Sequence, residues 1–374
     1  MPVKIDEPAA PDDHSAMSEH DPLVRALRFH AAACRALGSD FSGGMLERAA
    51  DDAEARGRTR NFFSPWDGAA TRVLMEAAVA LRFLGGLHDL VLSGDAPVLA
   101  ADYPGEGRPG GAGAAWPSAL AAMDQHSERL AGFMTHEPQT NEVSRSACLL
   151  GGFLTVAKDT GLALRCLEVG ASAGLNQLWD SYRYRLGETM TWGEAGASVV
   201  IAAEWRGPPP PLEAPIRVVE RGACDRRPVD LADPAASRRL KAYVWADQIE
   251  RLDRLAAAIA VARDAGTRVE TEDAVLWTAR RAAPRAGCAT VLFHSVFWQY
   301  MPVESQSALR GVIEGLGASA TDAAPFAWLR MEPLPTATPM EVRLTQWPGG
   351  RERLLAHAHP HGAWVEWLSR PDGG

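Results

Sequence analysis

The ten residues Leu167-Glu-Val-Gly-Ala-Ser-Ala-Gly-Leu-Asn176 decide how the chain is read. Gly170-Ala171-Ser172-Ala173-Gly174 fits G-x-S-x-G, the sharp strand-to-helix elbow that presents a nucleophilic serine. Taken from Glu168, the same stretch is an acidic turn rich in small residues. Such a turn cradles a nucleotide-like cofactor against a helix N-terminus. Ser172 is a nucleophile in the first reading and a small bystander in the second.

The sequence on either side sets the context. Ala163–Val169 is short, apolar and bounded by glycines, which suits a buried parallel strand. A helix is predicted from Leu175 to about Leu186, then an irregular, tryptophan-bearing insertion over 187–215 that ends in a proline run. Ile216–Glu220 reads as a second strand. Asp233-Pro234 opens a long helix through Arg263, stopped by Gly266. Thr267–Glu270 is a third strand, Thr290–His294 a fourth, Ser305 to about Leu316 a helix and Phe326–Met331 a fifth strand. From Met340 to Trp367 the pattern alternates around Pro348-Gly-Gly and Pro360-His-Gly, which predicts antiparallel strands. Strands alternating with helices and closing on an antiparallel edge imply a doubly wound α/β sheet over residues 161–370.

Upstream the periodicity is helical throughout. Residues 1–20 are polar and rich in proline and aspartate, and read as a disordered tail. Residues 21–160, opened by the Asp21-Pro22 cap, form an all-α domain. The five cysteines are scattered and contain no C-x-x-C, so neither a disulfide framework nor a zinc site is expected, and a cytoplasmic location fits. A net charge of −9 argues against a nucleic-acid or anionic-membrane partner. The most apolar run, Ala69–Leu87, is interrupted by Arg72, Glu76 and Arg82, so no membrane span is expected. His357-Ala-His359-Pro-His361 lacks a carboxylate at ligand spacing, and no metal is expected there.

A hydrolase elbow should follow earlier strands, with an oxyanion segment upstream. Here the elbow strand is the first strand, and no His-Gly-Gly segment precedes it. Asp225 or Asp273 followed by His294 supplies a triad order, which keeps a serine hydrolase using Ser172 as one alternative. The cofactor reading finds more support. In a Rossmann-like sheet an acid closing the second strand binds ribose hydroxyls, and Asp225, with Glu220 as second choice, is placed to do so. Glu272-Asp273 follows the third strand, where an adenine ring would be bracketed.

These features resemble the S-adenosylmethionine (SAM)-dependent methyltransferases of the Rossmann-like class. More closely, the chain looks like an uncharacterised bacterial family known as a domain of unknown function with that fold. The residues that carry the resemblance are 167–176, Cys-Asp-Arg-Arg-Pro-Val-Asp (224–230), Phe-His-Ser-Val-Phe-Trp-Gln-Tyr (293–300) and Pro-Gln-Thr-Asn-Glu-Val-Ser-Arg (138–145). The resemblance implies a class I methyltransferase sheet with SAM as cofactor. Glu168, Gly170, Ser172 and Gly174 would lie at its methionine end, Asp225 at the ribose and Asp273 at the adenine. The chain departs from that pattern in Ser172, where glycine is usual, and in the long gap from Gly170 to Asp225. It departs again at the proline-rich Glu332–Pro339, which stands in place of a helix.

In such sheets the ligand crevice lies at the carboxyl ends of the strands. His294 and Ser295 end a central strand there. His294 is the candidate base, with Tyr300 and Gln299 orienting an acceptor. Gln139, Asn141 and Arg145, at the start of an apolar helix, are candidate substrate-binding residues. The expectation is a methyltransferase acting on a small molecule enclosed between the helical domain and the sheet, with a non-catalytic cofactor-binding protein as the other alternative.

Overall fold

The computed structural model describes residues 21–108, 110–334 and 337–369. The expected tail at 1–20 lies outside them. The chain divides into two compact units. The first comprises the described residues up to Thr140 together with Asp233–Asp253, and the second comprises Asn141–Ala232 with the described residues from Arg254 onward.

The first unit is helical: α1 (Pro22–Ala36), α2 (Asp40–Glu54), α3 (Arg58–Phe62), α4 (Thr71–Glu76), α5 (Val79–Ser93), α6 (Pro97–Asp102), α7 (Ala112–Gln125) and α8 (Ser127–Met134). Asp21 caps α1 by accepting from Leu23 N and Val24 N, as the Asp-Pro signature requires. Leu27, Met45, Phe63, Phe83 and Leu87 lie in one apolar core.

The predicted helix from Asp233 to Arg263 is two helices, α10 (Pro234–Ala242) and α11 (Ile249–Asp264). Side chains from elsewhere in the unit bond the backbone and side chains that the break exposes. The buried His88 donates from Nδ1 to the carbonyls of Ala242 and Val244, and Asp247 accepts from Ser39 Oγ and Phe41 N. An unbroken helix would have kept those carbonyls for itself.

The second unit is a mixed α/β structure built on an eleven-stranded sheet. Its strands are β1 (Ala163–Val169), β2 (Arg183–Leu186), β3 (Met190–Trp192), β4 (Val200–Arg206), β5 (Val218–Asp225), β6 (Glu270–Thr271), β7 (Cys288–Ser295), β8 (Phe326–Leu334), β9 (Ala337–Trp347), β10 (Arg351–Ala358) and β11 (Trp364–Trp367). They run in the order β3-β2-β4-β11-β10-β9-β8-β7-β1-β5-β6. From β6 to β8 every pairing is parallel, whereas β8, β9, β10 and β11 pair antiparallel. The expected antiparallel strands at the C-terminus are therefore present. The chain passes from β1 to β5 on one side and later places β7 on the other, so the strand order reverses at β1.

Every residue of β1 is buried, the pattern of a strand covered on both faces. Helices α9 (Arg145–Thr160), α12 (Ala274–Arg281) and α13 (Val303–Ala318) supply the cover. Gly152 of α9 meets the side chain of Leu329 so closely that an added Cβ would lie 2.3 Å from it. The next residue back, Trp328, points to the opposite face. There it joins Leu167, Leu292, Trp277 and Ile313 in the core under α12 and α13.

Two further expectations are corrected here. The helix predicted over Leu175–Leu186 is a short 3-10 helix, Leu175–Ser181, followed by β2. Tyr182 and Tyr184 donate their hydroxyls to the carbonyls of Leu175 and Trp179, and Trp179 stacks on Phe153 at 4.2 Å. Strand pairing of β2 with β4 overrides the local helical pattern. The irregular insertion at 187–215 likewise contains β3 and β4, and β4 joins β11 in parallel. The long gap between Gly170 and Asp225 thus builds the far edge of the sheet.

Burial holds the His88 imidazole down, from 6.5 to about 4. The unfolded chain takes a proton on this residue below 6.5 while the folded unit resists it, so stability falls as pH drops from about 6.5 to about 4. The loss should reach about 2–3 kcal/mol. Urea midpoints at pH 7 and pH 5 for the wild type and His88→Gln check this, the variant showing the flatter pH dependence.

Candidate functional site

The turn after β1 is tied down by its neighbours. Gly170 and Gly174 take left-handed φ values of 67° and 73°, which glycine adopts without steric cost. Ser172, at 54°, shares that conformation although it carries a side chain. Its amide donates to Asp225 Oδ2 at 2.9 Å, while Asp225 Oδ1 accepts from Arg227 N at 2.9 Å. The Ser172 carbonyl accepts from Val229 N, and Ala171 N donates to Cys224 O. At the exit of the turn Asn141 Oδ1 accepts from Leu175 N at 2.9 Å. Asn176 is held by Ser146 Oγ and by the Glu142 carbonyl. Asn141, Glu142 and Ser146 therefore meet the exit of the glycine turn, Asn141 by capping it.

Three buried polar side chains around this turn carry atoms with no protein partner. They are Glu168 Oε2, Ser172 Oγ and Gln177 Nε2, from residues 3%, 6% and 2% exposed. Buried polar atoms are nearly always paired, so these three make the turn a candidate site. An added Cβ on Gly174 would lie 2.5 Å from Gln177 Nε2, so only glycine leaves that amide its place. Burial pushes the Glu168 carboxyl well above its ordinary range, and the negative charge of Asp225 adds to the shift. The nearby cation, Arg221, is committed to the Gln177 carbonyl and to Asp180 Oδ2.

The loop after β7 is organised by a residue that sequence analysis passed over. Glu332, on β8, accepts through Oε1 from His294 Nδ1 at 2.7 Å, Phe297 N at 2.9 Å and Trp298 N at 3.2 Å. On its other nitrogen, His294 Nε2 faces Trp328 Nε1 at 3.0 Å. An indole N–H only donates, so Nε2 is the acceptor and Nδ1 carries the proton. The ring is fully buried and its one basic lone pair is covered. His294, expected as a base, is placed with both ring nitrogens engaged, one by Glu332 and one by Trp328. Between His294 and Phe297, Val296 adopts φ 51°, a strained conformation for a β-branched residue. The strain brings Phe297 against Gly170, where an added Cβ would lie 2.1 Å from its ring.

The other sequence candidates fall into place around these two loops. Tyr300 bonds Gln299, stands near Arg145 and Glu332, and has its phenol pushed up to about 12 by burial. It is a proton donor at neutral pH, and Gln299 Nε2 and Glu332 Oε2 remain unpartnered. Arg145 Nε donates to the Pro360 carbonyl at 3.0 Å. Ser295 is the half-buried last residue of β7. Asp273 caps α12, accepting from Val275 N and Leu276 N, which differs from the expected adenine contact. Gln139 belongs to the helical unit and is half-buried. Among the described residues Ser172 Oγ has no hydrogen-bond partner, the general base of a serine nucleophile included. His357 lies 3.5 Å from Glu366, and His359 Nδ1 accepts from His361 N. Among the described residues no group of three or more His, Cys, Asp or Glu side chains is placed to hold a metal ion. None of their helices is long and apolar enough to cross a membrane.

A family model described as an uncharacterized protein conserved in bacteria (DUF2332) matches residues 24–367. The chain belongs to this family. The match takes in both compact units, so both the helical and the α/β parts belong to the DUF2332 pattern. No curated protein and no solved structure matches the chain.

Glu332→Ala would strip three donors of their acceptor and should destabilise the α/β unit by about 3 kcal/mol. Glu332→Gln keeps an accepting oxygen in the same place and should recover most of that loss. Denaturant unfolding of the two variants beside the wild type makes the comparison.

Proposed function

We propose that this chain binds SAM at the carboxyl ends of β1 and β5 and transfers its methyl group to a small molecule. The observation that carries the reading is the set of unpartnered, buried Glu168, Ser172 and Gln177 around one glycine turn. The parallel run β6-β5-β1-β7-β8 supports it, because its order matches the 3-2-1-4-5 core of doubly wound cofactor-binding sheets, in which ligands sit where the order reverses. The residues present fit the polar end of such a cofactor. Glu168, Ser172 and Gln177 would hold that end, and Asp225, which keeps a free lone pair on each oxygen after its backbone bonds, would meet ribose hydroxyls.

When bound, the cofactor supplies an electrophilic methyl group. The chain's own contribution is alignment and the exclusion of water. Phe297 covers Gly170, and Tyr300 and Gln299 offer hydrogen bonds to an acceptor. With the His294 lone pair covered, the acceptor must be nucleophilic without help from that residue.

The same covered lone pair favours a second reading, a protein that binds the cofactor and transfers nothing. Calorimetry with S-adenosylhomocysteine should give binding heat at a single site. The absence of both heat and thermal shift overturns the reading. Binding of SAM with no labelled product from a metabolite extract selects the second reading instead.

A further inference from the structure

We propose that the loop after β7 takes a small amine that also carries an oxygen acceptor, with Glu332 Oε2 holding the amine and Gln299 Nε2 the oxygen. This names the chemical class of the small molecule in the reading above, and rests on that reading only for what happens to the molecule once bound.

The two carboxylate oxygens of Glu332 are used differently. Oε1 accepts from His294 Nδ1, Phe297 N and Trp298 N, whereas Oε2 is buried without a partner. All three donors are uncharged: two are amides, and His294 Nε2, accepting from Trp328 Nε1, leaves its ring a single proton. The Glu332 side chain is 16% exposed, and a carboxylate so far removed from water calls for a cation. The neighbouring cations on β8 and β9 are held by other acids. Arg343 pairs with Glu341 and Glu352, and Arg330 with Glu352. Glu341 itself stands directly opposite Glu332 on β9 and adds a second carboxylate to the same face. The N–H of a ligand ammonium would meet the Oε2 lone pairs and balance the charge together.

Gln299 sets the other half of the ligand. Its Nε2 is also buried without a partner, and an amide N–H only donates, so the facing ligand atom is an acceptor. Tyr300 bonds Gln299 and lies close enough to Arg145 and Glu332 to feel the charge of each. The cluster is therefore negative at Glu332 and positive toward Arg145, whose Nε is held on the Pro360 carbonyl. An amine with a hydroxyl or carboxylate oxygen matches that polarity, a chemistry that amino alcohols and amino acids share. All of these residues belong to the α/β unit.

The experiment is saturation-transfer NMR on the full chain, with and without S-adenosylhomocysteine. The probes form a matched set: 2-amino-1-propanol and alanine carry both groups, isopropylamine only the amine and 2-propanol only the oxygen. At least one of the first two should bind, isopropylamine more weakly and 2-propanol not at all, and the better of the pair tells which oxygen the site prefers. Glu332→Gln turns the Oε2 acceptor into a donor while leaving an oxygen for the three loop donors, and should weaken every amine about tenfold or more. Gln299→Leu should bring the two-group probes down to the level of isopropylamine. The inference is overturned if 2-propanol or isopropylamine binds as tightly as the two-group probes, or if folded Glu332→Gln binds amines like the wild type. If S-adenosylhomocysteine binds and no amine does, the inference falls and SAM binding stands. If amines bind in the expected pattern and S-adenosylhomocysteine does not bind, the cofactor reading falls and the inference stands. Should Glu332→Gln fail to fold, the wild-type series and Gln299→Leu decide.

Discussion

The Asp225 carboxylate holds the Ser172 amide, and the rest of the α/β unit's chemistry depends on that contact. It joins the end of β5 to the turn after β1, so the left-handed Ser172 is held by the neighbouring strand as well as by its own backbone. Asp225, Val229 and Asn141 take the backbone groups of the turn, and Glu168 Oε2, Ser172 Oγ and Gln177 Nε2 lie buried beside them without protein partners.

A second constraint mirrors the first across the strand-order reversal. Glu332 gathers two loop amides and the His294 ring, and Trp328 fixes the tautomer from the other side. The left-handed Val296 stores strain that these contacts hold in place. Phe297 thereby lies against Gly170, so the loop after β7 packs on the turn after β1. Both carboxylates act through backbone amides, and both sit at the carboxyl end of a parallel strand.

Much of the fold was legible in local pattern. The buried run Ala163–Val169, the helical periodicity before residue 160 and the alternation after Met340 each carry their period in the chain itself. What escaped had a non-local cause. Arg183–Leu186 continues a helical pattern yet pairs with β4, and the break between α10 and α11 is bonded by His88 and Asp247 through residues distant in sequence. The candidate site shows the same division. Glu168, Gly170, Ser172 and Gly174 stand out as a motif, whereas Gln177 and Glu332 belong to none. A glutamate at the end of β8 becomes informative only beside the amides it serves.

By itself, then, the sequence determined that a glycine-rich turn would follow a fully buried strand, because an apolar run and residues tolerant of positive φ are properties of the chain. It also determined family membership, through a pattern spread over residues 24–367. The tertiary structure decided what the polar residues do there. It engaged both nitrogens of His294, made Asp225 the clasp of the turn and left Glu168 Oε2 buried without a partner. The physical reason is that a side chain's proton and lone pairs are assigned by the partners that folding brings within about 3 Å, and no spacing along the chain records them.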